Sequence, residues 1–320
     1  MTPFTCAILD DFQNVALAMA DWNSLAPAVT AVSFQQHFSD ETALIEALQG
    51  FEIIVIMRER TPFTASVFAG LPSLKLLITT GMRNASIDLE AARAHGVTVC
   101  GTASSSEPPI ELTWALILGL SRHLYTEHHH FRTSGPWQST LGTGLHGKQL
   151  GLLGLGKIGS RVAQMGQAFG MNVVAWSQNL TEERASQIGV TLASSKEALL
   201  ETSDVVSIHL VLGERTRGLL GEKELRCMKP SGLLINTSRA PIIQESALVR
   251  ALQEGWIAGA GLDVFEQEPV PRDHPLRTLP NVLATPHLGY VTKENYQVYY
   301  QQAVEDIQAF LQGKPIRMLT

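Results

Sequence analysis

No stretch of this chain is long and apolar enough to suggest a membrane span. The most apolar helix candidate, ELTWALILGLSRHL, stays uncharged only from Leu112 to Ser121, well short of the roughly 20 residues a span needs. Basic runs are missing too, and the formal net charge is −6. Without a cationic footprint, nucleic acid and anionic membrane are disfavoured as partners. Three cysteines, Cys6, Cys100 and Cys227, form no CxxC and cannot all pair, which argues against a disulfide framework or a structural zinc site and fits a reducing cytoplasm. The first residues, MTPFTCAILDDF, lack the basic and apolar regions of a secretory leader and read as a first strand. Low-complexity tracts and internal repeats are absent, which excludes solenoids.

What the chain does have is apolar material, 45% hydrophobic against 17% charged over 320 residues, enough for two cores. Strand-length runs TCAIL, VTAVSF, FEIIVIM, LKLLIT and VTVC fill the first hundred residues. Between them lie helix-like stretches such as DETALIEALQG and DLEAARAHG, each opening on a capping residue and stopping at Gly50 or Gly96. A long helix is expected over 110–130, followed by a loop containing SGPWQSTLGTG. A second series then runs QLGLLG, NVVAW, DVVSIHL, GLLINTS, AGAGLDV and NVLAT. In the last of these, Val282, Leu283 and Ala284 read as a short buried strand. Strands alternating with helices imply open parallel sheets covered on both faces. The final stretch, from Lys293 to Pro315, has helical spacing of its apolar residues, which leaves open which sheet it packs on.

GLGKIG, made of Gly154, Leu155, Gly156, Lys157, Ile158 and Gly159, follows a strand and opens a helix. In that context it reads as a pyrophosphate cradle: Gly154 for the tight turn, Gly156 for close backbone approach and Gly159 for helix–strand packing. After the next strand, where an acidic residue usually meets the adenosine ribose, stand Ser177, Gln178 and Asn179. They can hydrogen-bond a ribose without repelling a 2′-phosphate. No arginine stands immediately there, although Arg184 follows on the next helix. The choice between NAD and NADP is open, leaning to NAD.

Three further stretches complete a pattern: INTSRAPII at 235–243, GAGLDVFEQEP at 259–269 and ATPHLG at 284–289. With the glycine loop, this resembles the D-isomer-specific 2-hydroxyacid dehydrogenase family, along essentially the whole chain. The resemblance implies a doubly wound α/β fold in two parts: a Rossmann dinucleotide-binding domain, 101–288, inserted into a flavodoxin-like substrate domain, 1–100 plus 289–320. It implies a homodimer, a small 2-keto or 2-hydroxy acid as substrate, and no metal. Catalytic roles fall on Arg239, Glu268 and His287; Asp263 falls near the nicotinamide. His209, Thr237 and Ser238 fall on strand ends lining the cofactor crevice. Gly81 and Met82 fall in a loop whose backbone amides hold the substrate carboxylate, with Arg239 and His287 also touching substrate. Glu268 stands where the formate-oxidising branch has glutamine, which disfavours that branch. A binding protein of the C-terminal-binding corepressor type, responding to NAD(H) without turnover, is the alternative; the chain lacks the long basic or disordered flanks expected of one.

The chemistry suits these residue types. A planar guanidinium at Arg239 can bridge the carboxylate and carbonyl oxygens of a 2-keto acid and polarise the carbonyl. Histidine, with a reference pKa of about 6.5, suits proton donation near neutral pH, and a neighbouring glutamate favours the imidazolium. Arg58, Arg60 and Arg83 follow substrate-domain strands and are candidates for a further phosphate or carboxylate. EHHHF at 127–131 is a poor metal site, because adjacent residues diverge around a helix. Asp10 and Asp11 are expected to cap a helix rather than touch substrate.

Overall fold

The computed structural model describes residues 3–319 and divides into two compact units, Met1–Ser105 with Thr292–Thr320, and Ser106–Val291. Every strand pairing within the two sheets is parallel.

The first unit holds β1 (Phe4–Ile8), β2 (Val29–Ser33), β3 (Ile53–Ile56), β4 (Leu76–Thr79) and β5 (Thr98–Gly101), in the order β2-β1-β3-β4-β5. β3 and β4 are buried at every position, which is why they read as unbroken apolar runs rather than alternating ones. The expected helices form where their caps are. Asp40 accepts from the Ala43 amide at 2.8 Å and Asp88 from the Ala91 amide at 2.9 Å, while Gly50 and Gly96 close the following turns at φ +82° and +70°. The helix Lys293–Leu311 belongs to this unit and buries Tyr296, Tyr299, Tyr300, Ala303 and Ile307. The tail beyond it returns to β5: the Gly101 amide donates to Arg317 O at 2.9 Å and the Leu319 amide to Val99 O at 2.8 Å. That antiparallel addition covers a sheet edge.

The second unit holds β6 (Gln149–Leu153), β7 (Asn172–Trp176), β8 (Thr191–Leu192), β9 (Val205–Ile208), β10 (Leu233–Asn236), β11 (Gly259–Leu262) and β12 (Val282–Ala284). Their order is β12-β11-β10-β9-β6-β7-β8. β8, two residues long, carried no sequence signal. β12 departs from expectation: Val282 and Leu283 are half-buried and Ala284 is exposed, because this strand is the sheet edge. The helix expected over 110–130 is two helices, Glu107–Ser121 and Leu124–Arg132, broken at His123, whose φ is +50°. The first is apolar and packed. The second buries nothing, so nothing holds the two in line.

Among the described residues, no helix is long and apolar enough to cross a membrane and no three metal-binding side chains gather. In the histidine run, His130 Nδ1 bonds Ser139 Oγ at 2.7 Å while His129 stacks against Tyr125.

Candidate active site

In the second sheet the winding reverses between β6 and β9, so the carboxyl ends of those two strands bound a crevice. The glycine loop leaves β6 there. Gly154 takes φ +102°, and a Cβ on it would lie 2.6 Å from His209 O. A Cβ on Gly159 would run into Gly154 O, whereas one on Gly156 would meet nothing within 4 Å. Gly156 is the N-cap of the helix Lys157–Ala168. Open space above a glycine at a helix N-terminus fits a pyrophosphate. Leu155 is buried and contributes only backbone; Lys157 is exposed and Ile158 half-buried.

Ser177, half-buried, follows β7 directly, with Gln178, Asn179 and Arg184 exposed beyond it. At the end of β9, His209 Nε2 lies 2.9 Å from Ser207 Oγ. Desolvation pushes the His209 imidazole down to about 4, so it is neutral at physiological pH. Ser238 Oγ donates to Leu210 O, and Thr237 Oγ1 lies 2.8 Å from Thr113 Oγ1. These contacts knit the ends of β9 and β10 and the helix Glu107–Ser121 together.

The residues expected to do chemistry sit at the carboxyl ends of β10, β11 and β12. Arg239 follows β10 in extended conformation, φ −146°, with Nη1 donating to Ser238 O at 2.8 Å. Asn236, buried at the strand end, holds this corner with both halves of its amide: Oδ1 accepts from the Ser238 amide at 3.0 Å and Nδ2 donates to Arg239 O at 3.1 Å. Sequence reasoning missed Asn236, although an amide at a strand end just before a functional residue is a usable signal.

Glu268 and His287 meet. Glu268 Oε2 lies 2.7 Å from His287 Nδ1, and Oε1 accepts from the Phe265 amide at 3.0 Å. Both side chains are about one-fifth exposed, shielded but reachable. His287 takes the left-handed φ of +55°, with Tyr290 edge-on to its ring at 5.4 Å. Such a backbone persists only where its surroundings over-determine it. Here Asp263, buried at the end of β11, does so. Its Oδ1 accepts from Thr285 Oγ1 at 2.6 Å and the Leu288 amide at 2.7 Å; its Oδ2 accepts from the Gly289 amide at 2.8 Å. Burial raises the Asp263 pKa, against the pull of the Thr285 and Leu288 hydrogen bonds and of His287. Expected beside a nicotinamide, Asp263 therefore has both oxygens engaged by the loop that carries His287.

In the first unit the Gly81 amide donates to Thr102 Oγ1 at 3.0 Å. Gly81 also supplies a left-handed bend there, φ +111°, and Met82 beside it is exposed. Arg58, on the turn after β3, reaches this bend, its Nη1 2.8 Å from where a Gly81 Cβ would be.

Comparison with known proteins gives the family. Residues 114–289 match the NAD binding domain of the D-isomer specific 2-hydroxyacid dehydrogenases. The chain belongs to that family. The solved phosphoglycerate oxidoreductase of Vibrio cholerae is similar at 40% identity over 97% of this chain and 99% of its own, with a TM-score of 0.92. Glyoxylate reductase of Aeropyrum pernix is 39% identical over 86% of this chain and 84% of its own length. D-3-phosphoglycerate dehydrogenase of Bacillus subtilis is 39% identical over 85% of this chain, which spans 51% of that protein. As a D-2-hydroxyacid dehydrogenase, the protein uses NAD(H), and the β6–β9 crevice lies within the residues matched to the NAD binding domain.

Proposed function

We propose that this dehydrogenase reduces a small 2-keto acid with NADH to the D-2-hydroxy acid, using Arg239, Glu268 and His287. When bound, the nicotinamide supplies the hydride. The observation that carries the reading is the Glu268–His287 pair, 2.7 Å apart, on a loop fixed in a left-handed bend. Glu268 holds Nδ1, so the proton passes from His287 Nε2 to the substrate oxygen as the keto carbon accepts the hydride. Arg239 pairs with the substrate carboxylate and polarises the carbonyl. His209, kept neutral by burial, would add no positive charge to the cofactor crevice.

Within the first unit, Arg58 and Arg60 offer a separate place for a phosphate or carboxylate group. Both lie on the turn after β3 and are half-buried, whereas Arg83 is exposed. Initial rates with glyoxylate, hydroxypyruvate, pyruvate and 3-phosphohydroxypyruvate, each with NADH and NADPH, test the whole reading. We expect turnover of at least one and the highest kcat/KM for the phosphorylated acid. A folded protein that binds NADH and turns over none of them is a binding protein instead.

We also propose a homodimer. The segment 124–141 buries none of its helix and presents Leu124, Tyr125, Phe131, Trp137 and Leu141 to solvent, the last two 80% and 93% exposed. An apolar patch of that density suits a second copy, and sedimentation at micromolar concentration should give twice the mass of one chain.

A further inference from the structure

The first sheet has a reversal point of its own, between β1 and β3, so its crevice opens where the loops after those two strands leave their carboxyl ends. One of these loops carries Asp10, Phe12 and Gln13, and the other carries Arg58 and Arg60. Both loops contain a left-handed residue that is not glycine: Asp10 at φ +57° and Arg58 at φ +51°.

The Arg58 turn is gripped from two sides. From β4 and the loop beyond it, the Arg58 amide donates to Thr80 Oγ1 at 3.0 Å and Asn84 Nδ2 donates to Arg58 O at 2.6 Å. From β1, Asp10 takes the other end: its Oδ2 accepts from Thr61 Oγ1 at 2.7 Å, one residue past Arg60. Its Oδ1 lies 2.8 Å from His37 Nδ1. Asp10 and Thr61 are almost completely buried. The Arg60 guanidinium carbon stands 5.4 Å from the Phe12 ring centroid, so the β1 loop touches this arginine as well.

A buried carboxylate that spends one oxygen on the turn beside two arginines, and the other on a histidine, sets where that turn lies. Asp11, its neighbour, has the ordinary task expected of both: it accepts from the Val15 and Ala16 amides and caps the short helix there. Asp10 caps nothing.

We infer that Asp10 is a positioning residue, holding the Arg58–Thr61 turn through Thr61 in the shape in which its arginines receive a phosphate or carboxylate. The inference rests on the reading of Arg58 and Arg60 given above. It assigns the specificity for a phosphorylated over an unphosphorylated 2-keto acid partly to a residue that does not touch either.

The test compares 3-phosphohydroxypyruvate with hydroxypyruvate, which differ only in the phosphate. Asp10→Ala should lower the ratio of their kcat/KM values by about tenfold or more, through KM for the phosphorylated acid, since small misplacements of positioning groups carry effects of this size. Thr61→Val, which deletes one hydroxyl at nearly constant volume, should lower it by roughly threefold to tenfold. Asp10→Asn keeps an acceptor for Thr61 and tolerates a left-handed backbone, and should keep the ratio within about threefold. Should Asp10→Ala fail to fold, Thr61→Val decides. Arg58→Ala and Arg60→Ala run in parallel. If they lower the ratio while Asp10→Ala and Thr61→Val lower both substrates equally, the positioning role is wrong and the arginine reading stands. If the arginine variants leave the ratio unchanged, both are wrong.

Discussion

Replacing Asp263 by Asn separates the two readings of this residue, holding the His287 loop or contacting the nicotinamide. The carboxylate accepts three hydrogen bonds, from Thr285 Oγ1, the Leu288 amide and the Gly289 amide. Asparagine offers one oxygen in place of two, so at least one of these donors faces an NH2 group, and the others lose charge assistance. Hydrogen bonds to charged groups contribute about 1.5–3 kcal/mol each, so the clamp weakens by roughly 3 kcal/mol. Set against a left-handed His287 that prefers to relax, that energy corresponds to a roughly 10²-fold smaller population of the competent loop. Because burial already raises the Asp263 pKa, neutralising it relieves a desolvation cost, and global stability should fall by less than the loop does. We therefore expect kcat for 2-keto acid reduction to drop roughly 10²-fold, with the Kd for NADH, from fluorescence titration, within about threefold of the parent. If kcat holds within about threefold, the clamp does not control His287. If kcat and NADH affinity fall together, Asp263 acts on the cofactor.

His287→Asn removes the proton donor and should cost about 10²- to 10⁴-fold in kcat with NADH binding retained; a loss of only a few-fold, where hydride transfer limits the rate, makes His287 a packed strand-end residue. Ser177→Asp should raise the NADH-to-NADPH ratio of kcat/KM by roughly tenfold, since a carboxylate accepts from a 2′-hydroxyl and repels a 2′-phosphate, and an unchanged ratio would place that ribose elsewhere. In the tail, Arg317 Nε donates to the fully buried Asp306 at 3.0 Å, and burial raises the Asp306 pKa to about 7 against the pull of Arg317. Because the folded value lies above the unfolded one, stability falls as pH rises from about 4 to about 7 and levels above that. Arg317→Met leaves the buried carboxylate without its cation and should cost roughly 3 kcal/mol at pH 8 and much less at pH 5 in urea denaturation. A loss independent of pH would show that Asp306 does not change its charge between pH 5 and pH 8.

The family and the doubly wound sheets were legible because they rest on local patterns. Apolar runs of strand length, helix caps at Asp40 and Asp88, and the spacing within GLGKIG are all set within a dozen residues. Arg239, Glu268 and His287 could be named from motifs for the same reason. Contacts between distant segments were not legible. Asp10 and Asp11 look alike in the sequence, yet Asp11 caps a helix four residues on while Asp10 reaches Thr61, 51 residues away. Asp263 reads as a cofactor residue, and only the pairing of β11 with β12 turns its carboxylate onto the His287 loop. The helix expected over 110–130 breaks at His123, where burial ends rather than where helical propensity fails.

The sequence by itself determined the fold class, a dinucleotide as cofactor and the residue types available for proton transfer, because periodicity, turn chemistry and motif spacing act over short stretches of chain. Tertiary structure alone decided which polar group satisfies which. A buried donor or acceptor must find a partner, and in these parallel sheets each strand's neighbour is separated from it by a helix and tens of residues. That pairing put Glu268 on His287, Asp263 on the loop around it and Asp10 under the arginines.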